Sequence, residues 1–559
     1  MTLLALALPA CTGGEVLGAA GDAALASDAE NASDAENAPA DEDDDQYGEP
    51  IELLPDDELP TEEAPEDPDP GPPTEDLVDE TAYPLVFEPG VDIDAAPVGA
   101  TLECRSSGAH AFPGVQPRLA ERLPAVLADA MAYARCGDAV FNERIESPLD
   151  TLVQLFEATG DPAYAARFLN LAEALRAAAV RNDPQRPHFI RKGAGSTTVR
   201  PDPGPGRAGF TLRGCDRRTG ARDPLSDAYL AEPILRGLRR LLTSDPCVLP
   251  LPSGLRPRAT RAFGFFQRIL YTAHLPTLRG TNGQFHILAR YGEVAYQVCL
   301  RDRTANREAC DLALAKATFL RQHLLAHPSL PAARIWGSSY RTAGGACSPA
   351  RPNLACHTIG GACDCRAGAA CPEAAYDCRP AAQRGDRSTC YATRCGLTDV
   401  SHANTVVGFL LDVNMNNERT AGAEVVPRAT IDGLAATLRD AIWCGQTPGA
   451  DQVLAASVFI DGFTDGAQVG CGIRSPASVA RKRDAQRRAL ALGWLRLARV
   501  TPALLPLVGA WVTMVDGHAS LRDRTAVDTQ ALFIRLLAGR LLGEDHLLDA
   551  RSCTLCPRP

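Results

Sequence analysis

Leu149-Asp-Thr-Leu-Val-Gln-Leu-Phe-Glu-Ala-Thr-Gly-Asp-Pro-Ala-Tyr-Ala-Ala-Arg-Phe-Leu-Asn-Leu-Ala-Glu-Ala-Leu175 is the stretch whose reading decides the fold. Leu149, Leu152, Val153 and Phe156 recur at i, i+3, i+4 and i+7, which makes one apolar helical face. Gly160 is a good helix stop, because glycine takes the left-handed conformation without a Cβ clash. Asp161-Pro162 then reads as an N-cap followed by a first-turn proline. Tyr164, Phe168, Leu171 and Leu175 form the apolar stripe of a second helix. The spacing predicts an antiparallel helical hairpin with a tight Ala-Thr-Gly-Asp-Pro turn.

The hairpin recurs outward along the chain in looser form. Helical stretches are expected near 117–136, 225–243, 257–275, 283–301, 305–326, 401–416, 427–443, 484–499, 502–515 and 525–542. Thr501-Pro502 repeats the cap-then-proline device. Strand signals are few, and Ala333 to Tyr340 and Val458 to Ile460 are the best. The expectation is an all-α protein. A helix count near twelve suits paired helices around a closed ring, an (α/α)6-type toroid over residues 100–559. An irregular all-α domain is the plainer alternative.

The chain has 559 residues and a formal net charge of −13, which averages two unlike parts. Residues 1–99 hold 28 Asp and Glu and no Lys or Arg. The remainder holds the other 41 acids against all 56 bases, a surplus of 15 bases. Only Lys192, Lys316 and Lys482 are lysines; the other bases are arginines. GC-rich coding accounts for such a bias. Arginine also suits bidentate binding of carboxylate, sulfate or phosphate, and a basic body favours a polyanionic partner. A hydrophobic content of 45% excludes a wholly disordered chain. No apolar run reaches the roughly 20 residues of a bilayer span.

Residues 1–11, Met-Thr-Leu-Leu-Ala-Leu-Ala-Leu-Pro-Ala-Cys, resemble a bacterial lipoprotein signal cut before a Cys that becomes lipid-modified, here Cys11. The start lacks a basic n-region and carries Pro9, two departures that leave an ordinary N-terminus as the alternative. Residues 12–99 read as a disordered acidic linker. Ser27-Asp-Ala-Glu-Asn-Ala32 repeats at once as 33–38, and Asp41 to Asp45 is a run of five acids. Such composition buries too little apolar surface to offset ordering entropy. The linker would hold the body away from a membrane, reached by the lipid anchor only.

Removing Cys11 leaves 18 cysteines. Cys347, Cys356, Cys363, Cys365, Cys371, Cys378, Cys390 and Cys395 crowd the stretch 345–396, read as an insertion. Cys299 with Cys310, Cys444 with Cys471 and Cys553 with Cys556 are short-range couples. That density fits disulfides in an oxidising compartment, so an exported or periplasmic protein. Zinc binding by the crowded stretch is the alternative, against the absence of paired Cys-x-x-Cys knuckles.

Glu157-Ala-Thr-Gly-Asp-Pro-Ala-Tyr164 before an Ala/Leu-rich helix resembles the hairpins of toroidal carbohydrate-active proteins. That group includes polysaccharide lyases, uronyl epimerase-like proteins and toroid glycosidases. Gly280-Thr-Asn-Gly-Gln-Phe-His286, Arg334-Ile-Trp-Gly337, Asp399-Val-Ser-His-Ala-Asn404 and Gly493-Trp-Leu-Arg-Leu-Ala498 are similar to the same group, in that order. The likeness covers most of residues 115–545, and the stretch 345–396 interrupts it.

Candidate site residues follow. Asp399 or Ser401 can cap a helix, which puts His402 in the first turn, where the helix dipole disfavours imidazolium. A neutral His suits a general base. Asn282, His286, Arg290 and Glu293 share one helical face, with Phe285, Leu288, Ala289, Gly292 and Tyr296 on the other. That polar face is either solvated or turned into a cleft. Tyr340 could supply a phenolic acid, Trp336 could stack on a sugar, and Asp399 and Asn404 could contact substrate. Each of these residues has a plain structural reading as well: helix capping, a loop carbonyl contact or packing.

The leading function is uronate β-elimination on an acidic polysaccharide or other polyanion. Asn282 or Arg290 would neutralise the carboxylate, His402 or His286 would take the proton, and Tyr340 would protonate the leaving oxygen. The second reading is hydrolysis by a carboxylate pair, Asp399 with Glu232, Asp461 or Asp465. The third is a non-catalytic surface protein that binds glycan or protein. No nucleotide-binding glycine fingerprint, nucleophile elbow or metalloprotease helix motif is present. The expectation is no cofactor, no metal and no nucleic-acid partner.

Overall fold

The structure, a computed structural model, describes residues 76–85, 117–136, 142–182, 187, 224–243, 251–268, 275–279, 284–327, 330–337, 356–359, 362–365, 398, 400–417, 424–443, 490, 493–517 and 523–542. The chain divides into two units, Met1–Gly48 and Glu49–Pro559, and every described residue belongs to the second. Cys11, Asn282, Tyr340, Asp399, Asp461 and Asp465 lie outside the described residues. So do the strand expected at 458–460 and the couples Cys444–Cys471 and Cys553–Cys556.

Twelve α-helices carry the described part: α1 (Pro117–Cys136), α2 (Asn142–Thr159), α3 (Pro162–Asn182), α4 (Pro224–Thr243), α5 (Leu255–Phe266), α6 (Leu275–Arg279), α7 (Phe285–Arg301), α8 (Arg307–Gln322), α9 (Val400–Met415), α10 (Arg428–Ala436), α11 (Leu505–Gly517) and α12 (Asp523–Leu542). Helix accounts for 81% of the described residues and strands are few, so the described part of the protein is all-α. The strands are short: β1 (Leu325–Ala326) pairs with β2 (Arg334–Ile335), and β3 (Cys356–Ile359) pairs with β4 (Ala362–Cys365), both antiparallel. No described helix is long and apolar enough to cross a membrane.

The hairpin of α2 and α3 forms as its sequence dictates. Gly160 takes φ 69°, and its N–H donates to the Phe156 carbonyl at 2.8 Å. The Ala163 N–H donates to Asp161 Oδ1 at 2.8 Å, the expected N-cap. Leu149, Leu152, Phe156, Tyr164, Phe168, Leu171 and Leu175 are all buried. The α7–α8 hairpin is closed by the Cys299–Cys310 disulfide, with Cα atoms 4.8 Å apart.

Side-chain pairings show how the helices run. From α2 to α4, Asp150 meets Arg236 and Glu157 meets Arg240, both 3.0 Å apart. Both partners advance together, so α2 and α4 are parallel. The same holds for α4 and α7, where Arg290 meets Glu232 and Arg239 donates to Gln297 at 2.8 Å. It holds again for α2 and α12, through Thr151 with Asp528 and Glu157 with Arg535. Helix α9 packs on α7, and the 3-10 segment Trp494–Arg499 packs on α9 and on α12. Helices α3, α5, α8 and α11 pack against these in turn.

Several expectations need correction. The helix expected over 484–499 is described only as the 3-10 segment Trp494–Arg499, preceded by Gly493 at φ −144°. A Cβ at Gly493 would lie 2.2 Å from the Asn404 carbonyl oxygen, so the segment enters against the backbone of α9 where only glycine fits. Helix α9 begins at Val400, so Ser401 lies inside its first turn and is not its N-cap. The stretch 427–443 is α-helical to Ala436 and then a π-helical turn, Thr437–Ile442. There the Thr437 hydroxyl bonds the Gly433 and Arg334 carbonyls, and such back-bonding loosens a helix. Within the expected strand 333–340 the ladder is two residues long, because the Arg334 backbone turns to Thr437 on its other side. Residues 76–85, read as part of the linker, are seated on α3 and α5.

Candidate functional site

Two of the expected residues meet. The His286 and His402 rings lie 4.5 Å apart between centroids, inclined at 51°. His286 is the second residue of α7 and His402 the third of α9. Their first turns therefore lie side by side, at the end where the helix dipoles are positive. His286 is buried and His402 half-buried. The pair lies 116 positions apart in the sequence, and the packing of α7 on α9, parallel by this pair and by Gln297 donating to Asp412 at 3.3 Å, brings it together.

Arg290 lies one turn deeper on the His286 face and is committed to protein carboxylates. Its Nη2 donates to Glu146 at 2.8 Å and its Nη1 to Glu232 at 3.0 Å. Glu293, three residues on, is 3.2 Å away. The guanidinium also stands 4.7 Å over the Tyr229 ring, a cation–π contact. With 6% of its side chain exposed, Arg290 is a fixed charge inside the wall. Every α7 residue from Phe285 to Cys299 is buried, so its polar face is not solvated.

Trp336 is 1% exposed and stacks on Trp494, 6.0 Å away at 25°, as a packing residue. The Trp494 indole N–H donates to the Val400 carbonyl at 3.1 Å. Asn404 Oδ1 accepts from the Trp494 backbone N–H at 3.0 Å. Asn404 and Trp336 thus brace the start of α9, and through it His402.

Below this level the polar groups continue down the packed helices. Asp150 is held by Arg236 and Arg496, and Glu157 by Arg240, Arg499 and Arg535. Burial pushes the Glu157 carboxyl up, but Arg240, Arg535 and Arg499 outweigh it and hold it below the usual carboxylate range. Asp528 is the opposite case: burial, reinforced by the Asp150 charge, raises it to about 8. Burial also raises Glu232 and, more strongly, Glu293. Acids with separated proton affinities thus lie side by side in one buried network.

Sequence reasoning missed Glu146, Asp150 and Tyr229. A signal for the first two existed. Glu146, Asp150, Gln154 and Glu157 recur at helical spacing and are all buried. Tyr229 carries no such pattern. Among the described residues no group of three or more His, Cys, Asp and Glu could hold a metal ion. No protein-family model, curated protein or solved structure matches the chain.

Proposed function

We propose that the helices form an (α/α)6-type toroid, whose mouth at His286 and His402 acts on an acidic polysaccharide by uronate β-elimination. The observation that carries the reading is the meeting of these two histidines in adjacent first turns. The ring is supported by the succession of neighbours α2, α4, α7, α9, the segment Trp494–Arg499, α12 and α2 again. Four neighbouring pairs in that succession are parallel by their side-chain pairings, and α3 and α8 pack back on α2 and α7 as hairpin partners. The basic surplus of residues 100–559 favours an anionic polymer. The Cys299–Cys310 disulfide supports an exported chain, anchored through Cys11.

In this mechanism one imidazole takes the proton at C5 of the uronate. The electron pair left behind forms the C4–C5 double bond, and the C4–O bond breaks. The departing oxygen takes a proton from a phenol, either Tyr340 or Tyr229. Arg290, one turn below His286, is already paired with Glu146 and Glu232 and takes no part in binding the uronate. Neutralising the uronate carboxylate then falls to Asn282.

The experiment is a panel of uronate polymers incubated with the full chain. Unsaturated product, read by ultraviolet absorbance, is the expected result. His286→Ala and His402→Ala are each expected to lower kcat by about 10²–10⁴-fold. Undiminished activity in both variants overturns the assignment. New reducing ends without unsaturation favour hydrolysis, and binding without turnover favours a glycan-binding protein.

A further inference from the structure

We propose that α3 and α5 form a binding face for an acidic peptide that is extended over 76–79 and closes in a 3-10 turn at Glu80–Ala82, and that residues 76–83 are its resident ligand, exchangeable for the same peptide in trans. The recognition has two parts. Asn170 reads backbone: its Oδ1 accepts the Val78 N–H at 2.6 Å and its Nδ2 donates to the Val78 carbonyl at 3.1 Å. Gripping both peptide groups of one residue selects an extended strand of any sequence.

The flanks supply the chemistry. Asp76 is paired with Arg258 at 2.9 Å and Arg261 at 3.2 Å. Glu80 accepts from Asn170 at 2.8 Å and faces Arg167 at 3.5 Å. Arg167 also donates to the Tyr83 carbonyl at 2.9 Å. Between the two acids only Val78 is buried, at 7% exposed. The face therefore reads an acid, an apolar residue two positions on and a second acid two beyond that. Asp79 plays no part in recognition, since its carboxylate caps its own turn at Thr81.

The receptor groups stand on α3 and α5, which are packed against α1, α2 and α4 on their other sides. The hold is modest: one buried apolar side chain, one amide clamp and ion pairs open to solvent. Asp76 and Arg261 keep 55% and 64% of their side-chain surface, and exposed pairs of this kind hold only weakly. An open hollow of about 610 Å³ shares Arg261 and is also lined by Arg256 and Leu251, which leaves approach from solvent. This inference is independent of the proposed lyase activity.

The test uses the full chain and a fluorescent peptide of residues 74–85. Asp76→Ala, Val78→Asp and Glu80→Ala together vacate the face. The peptide is expected to bind this variant about ten-fold more tightly than wild type. Adding Arg258→Glu and Arg261→Glu is expected to remove the gain. Equal binding to wild type and the vacated variant, or equal binding of a scrambled peptide, overturns the proposal. A second measurement needs only Asn170→Ala. Amide hydrogen exchange within 76–85 is expected to rise about ten-fold while that of α3 stays unchanged. Unaltered exchange within 76–85 overturns the proposal as well.

Discussion

Asp528 is the residue whose proton the fold controls most plainly. Burial, with Asp150 beside it, raises the carboxyl to about 8. Between about pH 4 and that value the folded chain keeps a proton that the unfolded chain has released. Stability therefore falls as pH rises across this window. Asp528→Asn keeps an oxygen acceptor for the Thr151 hydroxyl, 3.4 Å away. Urea midpoints measured from about pH 5 to about pH 9 should show a shallower decline in the variant. At the alkaline end the variant is expected to keep more of its stability than the wild type does; an unchanged slope would refute this. Arg290 teaches a related lesson. Its place beside His286 was legible from helical spacing, but Glu232 and Glu146 come from 58 and 144 positions away. Spacing along one helix carries no information about such partners.

At the scale of elements, local signals were reliable where one short stretch decides the outcome. The α2–α3 turn at Gly160 and Asp161, and the Cys299–Cys310 couple, are both of this kind. The disulfide joins positions 11 apart, for which loop closure predicts about 3 kcal/mol. Cys299→Ala with Cys310→Ala should lower the unfolding free energy by that amount in chemical denaturation, and equal stability would show that the bond is dispensable. Segment Trp494–Arg499 is the counter-example. Its helical pattern lost to a close approach, with Gly493 against the Asn404 backbone. Gly493→Ala is expected to cost about 2–4 kcal/mol, because the Asn404 carbonyl cannot yield and the added methyl would push the Trp494 N–H off Asn404. Gly264→Ala, inside α5, is the control: nothing stands within 4 Å of a Cβ there. It should leave stability unchanged or raise it by up to about 1 kcal/mol. Thermal unfolding of the two variants side by side decides the matter.

At the scale of the whole molecule, the buried ion pairs tie separate helices to α2. Glu157 alone gathers Arg240 of α4, Arg499 of the 3-10 segment and Arg535 of α12. Burial opposes its charge, yet Arg240, Arg535 and Arg499 hold its carboxyl below the usual range. Its stabilising contribution is present above the unfolded value near pH 4.5 and is lost as pH falls below it. Glu157→Gln should cost about 3–5 kcal/mol at neutral pH, since three buried cations lose their partner. The variant should also lose part of the wild-type decline in melting temperature below about pH 4.5, and an identical acid decline in both would contradict the assignment. By itself the sequence determined the helical class, most of the helices and the hairpin turn, and it singled out Cys299 and Cys310 as neighbours, because each rests on groups close along the chain. Only the tertiary structure decided that His286 meets His402, that Arg290 is already neutralised and that residues 76–85 sit on α3 and α5. A stripe of polar residues on a helix has the same 3–4 spacing whether it faces water or a buried partner. Which of the two it faces is settled by packing between residues as distant as Thr151 and Asp528, 377 positions apart.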